Sequence, residues 1–376
     1  MAAPVRIELI SKPNQVEEFI RFPFELYRGY PHWVPPLLLE RRAFLDPRKN
    51  PIFEFAKVQL MLARRGSRVV GTVAAVHNRR FGECRPGEAH VGFFGLYEAL
   101  DDPSVAAALV GAAADWLRAE GLTVMRGPVN LTTNDVLGLL IDGFDEDPVV
   151  YMPYNPPYYA AQLEGQGLAK TKDLLAFEVT EATSSGKLDA IADKLLERGR
   201  CKIRPVNLSR LREELEFVRR CYNEAWAGNW GFVPWTDREL EYAARDLKPV
   251  LDPRLAFVGE VNGEPAGISI GIPDANQALK LANGKLFPLG LLRILWKLKV
   301  KGCTRLRVAA LGVLPKYRRL GLDTIFVQRT VKNAIAIGID RCEVGWILED
   351  NEAILRPIQR VGARRTKVFR VYDKAL

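Results

Sequence analysis

The chain has 376 residues, 48% hydrophobic and 26% charged, which excludes wholesale disorder and fibrous or collagen-like repeats and leaves apolar material for two cores. Three histidines (His32, His77, His90) and five scattered cysteines (Cys84, Cys201, Cys221, Cys303, Cys342) show no zinc, redox or disulfide spacing. No metal is expected, and the thiols read as reduced, in a cytoplasmic setting. The net charge of +9 is local: from Asp274 to Arg319 there are eleven basic residues and one acid, and the rest of the chain sums to −1. That pattern points to a local anionic partner, such as a phosphorylated cofactor or a membrane surface.

The opening residues show no basic segment followed by an apolar run, so no signal peptide is expected. A strand is predicted over 5–10 and a helix over 15–28 with Pro23 inside it. Strands over 58–63 and 69–76 flank Arg65-Gly-Ser67, a hairpin signal, and another strand runs over 90–97. Asp102 and Pro103 supply an N-cap and a first-turn proline for a helix that Gly121 ends, and a strand follows over 122–125. After an extended run over 173–181, the small polar stretch 182–186 marks a domain boundary, and a helix is predicted over 187–198. The second half repeats the order. It has a strand over 201–206, helices over 211–226 and 237–246, and strands over 255–261 and 266–272 around Asn262-Gly263. A long strand over 304–314, a helix over 321–337, a strand over 341–347, a helix over 352–361 and a strand over 366–372 complete it. Residues match as well: Gly167, Thr171-Lys172 and Phe177 recur as Gly362, Thr366-Lys367 and Tyr372, at a constant offset of 195. The domains are placed at 1–181 and 200–376, with a linker and connecting helix over 182–199.

The most specific segment is Leu311-Gly-Val-Leu-Pro-Lys-Tyr-Arg-Arg-Leu-Gly-Leu-Asp323, which joins a strand to a helix. A helix N-terminus offers unpaired N–H groups and partial positive charge, glycine lets a phosphate approach the backbone, and arginines add charged forks. The plain alternative is a strand-to-helix turn with solvated arginines. The segment resembles the acyl-CoA binding motif of the GCN5-related N-acetyltransferase (GNAT) superfamily, V-x-P-x-x-[RQ]-[RG]-x-G-x-[GA]. Val313, Pro315, Arg318 and Gly321 match, and Asp323 departs from the final small residue. Asn351 occupies the family's asparagine after the fifth strand, and Gly362 its glycine at the helix end. Ile358 stands where many members have a tyrosine acid, and 307–311 lacks the acid that most place on the fourth strand.

The resemblance is to tandem GNAT-like bacterial acyltransferases. It implies an α/β protein of two lobes, each a central mixed sheet flanked by helices. It implies acyl-CoA as co-substrate, with Leu311 and Val313 holding the pantetheine arm. Arg318, Arg319, Leu320, Gly321, Leu322, Asp323 and Asn351 would complete the cofactor site. An amine would attack the thioester directly, so Cys303 and Cys342 read as core thiols; Glu349, beside Asn351, is the acid available as a base. In the first half the matching segment, Tyr97-Glu-Ala-Leu-Asp-Asp102, is acidic and would repel pyrophosphate, so that lobe reads as a degenerate copy.

Two further segments bear on the acceptor. Asn130, Thr132, Thr133 and Asn134, followed by Tyr154, form a polar insert after a strand, where ligands commonly bind; turn chemistry is the alternative, with Asn155 before Pro156 as an N-cap. Of these, Asn130, Thr132, Asn134 and Tyr154 are the substrate-binding candidates. In the second half, 285–301 reads as a basic amphipathic helix. Arg293, Lys297 and Lys301 lie on one stripe, and Leu291, Ile294, Leu295 and Leu298 on another face, with Trp296 and Leu292 beyond. Such a helix suits peripheral contact with an anionic membrane, here at its inner face; the alternative is a helix packed over the sheet with snorkelling lysines. No apolar stretch reaches the ~18–20 residues of a bilayer span. The expected function is acyl-CoA-dependent N-acylation of a small-molecule amine or a lipid amine such as a sphingoid base. A non-catalytic acyl-CoA or lipid-binding module is the alternative, and no recognition-helix or zinc pattern supports nucleic acid.

Overall fold

A computed structural model describes residues 3–180, 186–360 and 362–376. Most of the stretch expected at the domain boundary, 182–185, lies outside these residues. The chain divides into two compact units. The first comprises the chain up to Leu174 with Ala282–Gly290 and Lys367–Leu376; the second comprises Leu175–Leu281 and Leu291–Thr366. The units therefore interleave along the chain, where the sequence suggested a cut near residue 182.

The first half contains β1 (Val5–Leu9), α1 (Pro13–Leu26), α2 (Leu38–Phe44), β2 (Ala56–Arg65), β3 (Arg68–Asn78), α3 (Arg79–Cys84) and β4 (Val91–Ala99). It continues with α4 (Pro103–Ala119), β5 (Val124–Gly127), β6 (Leu139–Asp142), α5 (Tyr159–Gly165) and β7 (Ala169–Thr180). Then follow α6 (Gly186–Glu197), β8 (Cys201–Pro205), α7 (Leu211–Ala225), α8 (Asp237–Leu247), β9 (Ala256–Val261), β10 (Glu264–Pro273), α9 (Asn276–Ala282) and α10 (Gly290–Trp296). The chain closes with β11 (Arg305–Val313), α11 (Leu322–Ala336), β12 (Arg341–Leu348), α12 (Glu352–Arg360) and β13 (Arg364–Ala375).

In the first unit the strand order is β1-β2-β3-β4-β5-β13, with β6 also on β13. The apolar positions of α4 recur at helical spacing, and Val105, Leu109, Ala113 and Leu117 are buried against the sheet. Gly71 on β3 makes that approach possible: a Cβ there would stand 2.7 Å from Leu109 Cδ1. Two residues of β4, Leu96 and Tyr97, oppose one on β3, because Thr72 pairs with Glu98 and Ala74 with Gly95. This bulge puts Leu96 at φ +47° and turns the end of β4. Beyond it β4 leaves its parallel neighbour, since the β4–β5 ladder covers only Val91–Phe93 against Val124–Arg126.

In the second unit the order is β12-β11-β10-β9-β8, with β7 beside β12. The β9–β10 hairpin turns on Asn262 and Gly263, both at positive φ. A bulge at Ala309 interrupts β11 against β10, and the parallel β11–β12 ladder ends at Val308 with Val344. Helix α6, expected as a connecting helix, is part of this unit: Ala192 and Leu195 pack with Leu322, Ile325 and Phe326.

The 195-residue match acquires a physical meaning here. Phe177, at the end of β7, packs with Ile347 and Leu355 of the second unit. Its counterpart Tyr372, on β13, is fully buried in the core of the first unit and pairs with Gly127 of β5. Each unit closes with a strand from the other half of the sequence.

Candidate active site

In the second unit, a single turn at Pro315–Tyr317 follows β11, and the chain then reverses through Arg319 (φ +70°) and Gly321 (φ +81°) into α11. Gly321 is required twice over: its φ disfavours a side chain, and a Cβ would lie 2.4 Å from Leu195 Cδ1. No side chain caps the N-terminus of α11. Arg318 and Arg319 are exposed beside it; Arg318 Nη2 donates to Ala225 O at 2.9 Å, and Arg319 has no hydrogen bond or ion pair among the described residues. Leu320 and Leu322 turn their side chains into the core under α11, so only their main chain faces the turn. Asp323 is exposed in the first turn of the helix. Leu311 and Val313 lie on the part of β11 that has left β12, so its edge toward β12 is open there. Trp226 covers Gly312, whose Cβ would meet the indole at 2.3 Å, and stacks on Tyr222 at 4.8 Å. Glu349 and Asn351 follow β12; Asn351 O accepts from Ile354 N and Leu355 N and so starts α12 with its main chain.

The first unit treats the equivalent helix differently. Asp102 caps α4, its Oδ1 accepting from Ser104 N at 2.8 Å, and Arg65 pairs with its other oxygen at 2.7 Å. These bonds, Ser104 foremost, hold the Asp102 carboxyl down at about 2. The position a phosphate would take is thus filled by a fixed carboxylate.

This unit instead holds a cavity of about 150 Å³. Two of the substrate-binding candidates, Asn130 and Tyr154, line it. Thr132 and Asn134 do not; they form a local turn in which Asn134 N donates to Thr132 Oγ1 at 3.4 Å. Asn155 is not an N-cap: its side chain clamps Leu140, accepting from the N–H at 2.7 Å and donating to the C=O at 3.1 Å.

The cavity also exposes a group that sequence reasoning missed. Glu98, at the end of β4, receives hydrogen bonds from Tyr27 and Tyr159, both on Oε2 and both 2.8 Å. Burial pushes its carboxyl up to about 7 against those two bonds, which pull it down. The signal was present in the sequence: Glu98 is the single acidic residue in the strand Val91–Ala99, whose other residues are apolar or aromatic. Cys201, Cys221, Cys303 and Cys342 are core groups, and burial pushes the Cys221 and Cys342 thiols up to about 12; Cys84 is exposed. No cluster of metal-ligating side chains occurs among the described residues.

No family model matches the chain. It is 38% identical over 374 residues to the bacterial ceramide synthase of Caulobacter vibrioides, covering 98% of this chain and 96% of that one. The chain belongs to the bacterial ceramide synthase family. Protein YghO of Escherichia coli strain K12 is 36% identical over 373 residues, covering 96% of this chain and 93% of its own. Among solved structures, a tandem GNAT protein from the clavulanic acid biosynthesis pathway aligns with a TM-score of 0.56 at 12% identity, over 99% of this chain and 98% of that one. A GCN5-related N-acetyltransferase from Sphaerobacter thermophilus aligns at 0.53 and 11%, over 99% and 95%. These two likenesses establish the tandem GNAT fold. Together with family membership they make the protein an N-acyltransferase, and the expected fold class and activity hold.

Proposed function

We propose that the protein transfers an acyl group from acyl-CoA to the amino group of a long-chain lipid amine, such as a sphingoid base, while bound at the inner face of a membrane. The observation that carries this reading is the uncapped N-terminus of α11 with Arg318 and Arg319 beside it. The CoA phosphates meet bare N–H groups and two guanidinium forks there, and the open edge of β11 at Leu311 and Val313 accepts the pantetheine arm. The neutral amine attacks the thioester carbon, the C–S bond breaks, and CoA leaves with the proton that the nitrogen loses. The acceptor class follows the name of the Caulobacter relative.

Two measurements test the cofactor half. Arg319→Gly suits φ +70° and removes one charge without straining the turn. A charge-assisted hydrogen bond contributes about 1.5–3 kcal/mol, so CoA affinity is expected to fall roughly tenfold to a hundredfold in titration calorimetry. Unchanged affinity would remove the turn from the cofactor site. Because Asp102 blocks the matching position, equilibrium dialysis is expected to give one CoA per chain; two would show that the first unit also binds it.

The membrane half rests on 285–301. The segment is less regular than expected: a helix occupies only Gly290–Trp296, followed by one wider turn at Lys297–Lys301. Ile294 alone of its large apolar residues is buried, while Leu292 is 61% exposed, Trp296 51% and Val300 74%. A helix that merely covered the sheet would bury that face. Arg293, Lys299 and Lys301 are exposed among these residues, and Lys297 is tied to Gly302 O at 2.8 Å. No helix among the described residues is long and apolar enough to cross a membrane. Replacing Arg293, Lys299 and Lys301 by Gln is expected to weaken sedimentation with anionic liposomes about a hundredfold, at about 1 kcal/mol per charge. A parent protein that ignores such liposomes would refute the membrane contact.

A further inference from the structure

The acyl-transfer reading leaves the first unit without a task, yet its cavity is built from groups that a degenerate core would not keep. One wall is aromatic: Trp33, stacked on Tyr27 behind it at 4.7 Å, lines the cavity with Tyr97, Tyr154 and Tyr159. Two of the cavity's lining residues, Glu98 and Asn130, each keep a polar atom with no hydrogen-bond partner among the described residues. Both tyrosine hydrogen bonds to Glu98 fall on Oε2, so Oε1 is unbonded among the described residues. Asn130 Oδ1 accepts from Leu96 N at 2.8 Å, which fixes the orientation of the amide and leaves its Nδ2 donors open. The bulge at Leu96 and Tyr97 brings these two groups to one cavity: it presents the Leu96 N–H to Asn130 and sets the direction of Glu98.

We propose that this cavity is a head-group site that receives a primary ammonium on Glu98 Oε1 and a neighbouring hydroxyl on Asn130 Nδ2, that is, the amino-alcohol end of a long-chain amine. The inference goes beyond the acyl-transfer reading and takes from it only the chemical class of the ligand. The volume suits this part of such a molecule. About 150 Å³ admits a small polar head group. A buried carboxylate needs a cationic or hydrogen-bonding partner, and an ammonium supplies both. Glu98 binds in its ionised form and the ammonium keeps its proton, so the two are held as an ion pair. The groups facing Glu98 are Tyr27 from α1, Tyr97 on β4, Tyr158 and Tyr159 at the start of α5, and Arg41 lining the cavity from α2. Burial holds all four tyrosines above their ordinary range, so Glu98 is the group that titrates between pH 5 and 9.

The test is titration calorimetry of the full chain with 2-amino-1-octanol, octylamine and 1-octanol at pH 8 and pH 5.5. At pH 8 the amino alcohol is expected to bind at least tenfold more tightly than 1-octanol, with octylamine between them. At pH 5.5, and in Glu98→Gln at either pH, the amines should lose that advantage, while the melting transition of the variant shows that it is folded. Thiol release from acyl-CoA is read separately. A parent that releases thiol but does not prefer amine over alcohol, or a Glu98→Gln variant that keeps the preference, overturns the head-group site and leaves acyl transfer standing. A preference that depends on Glu98 in a parent that never releases thiol supports the site and refutes acyl transfer.

Discussion

Removal of residues 367–376 is expected to leave the first unit unable to fold. Those residues carry most of β13, on which Phe369, Val371 and Tyr372 are fully buried. Each such side chain contributes about 1.5–3 kcal/mol on burial, so the three together contribute roughly 5–9 kcal/mol. That is comparable with the whole net stability of a domain, about 5–15 kcal/mol. The deletion also strips Asp373 from Arg126, which is 7% exposed and bonded to it at 2.8 and 2.9 Å. Finally it bares the β5 edge that β13 covers along Val124–Gly127. Hydrogen exchange should show protection lost across β2 to β5, with β9 to β11 retaining it. Native-like protection in β2 and β3 after the deletion would mean that β13 is an accessory strand. A fragment ending near residue 181 lacks the same strand and should fail in the same way.

The strand exchange also marks the limit of what the sequence discloses. Individual elements were legible because their signals are local. Asp102 and Pro103 open α4 and Gly121 ends it, with Leu122 N returning to Leu117 O at 3.1 Å. Asn262-Gly263 turns one hairpin, and the repeat at an offset of 195 residues identified β7 and β13 as equivalents. Which neighbour each equivalent pairs with depends on contacts hundreds of residues apart, and Phe177 and Tyr372 look alike in sequence whichever core receives them. The turn into α11 was legible as a turn because it consists of backbone geometry and charge, both of which Arg318, Arg319 and Gly321 declare. The shortened α10 was legible too, in principle: Pro288 falls within the expected span 285–301 and favours a helix that starts near or after it. Glu98 stands in an acidic run, Tyr97 to Asp102, in which its charge reads like that of its neighbours. Its neighbours there diverge, because Asp102 points to the helix end and is held down at about 2, whereas Glu98 points into an apolar cavity and is pushed up to about 7.

That divergence leads to the second large effect: Glu98→Gln should make the protein more stable above pH 7. Folded Glu98 keeps its proton until about pH 7, whereas in the unfolded chain it releases it near 4.5. Between those values the folded state binds more protons than the unfolded one, so stability declines as pH rises from 4.5 to 7 and stays lowered above it. A gap of about 2.5 units corresponds to about 3 kcal/mol at 1.36 kcal/mol per unit. Glutamine is neutral at every pH, and its carbonyl can still accept from Tyr27 and Tyr159, so the substitution removes the cost of the buried charge and keeps the bonds. The melting temperature at pH 8 should therefore rise by roughly 6–12 °C for a unit of this size, with no rise at pH 4.5. An equal rise at both values would point to packing rather than charge, and a fall at pH 8 would mean that the ionised carboxylate already has a stabilising partner. The same ionised carboxylate is the group that the proposed cation would meet at Oε1.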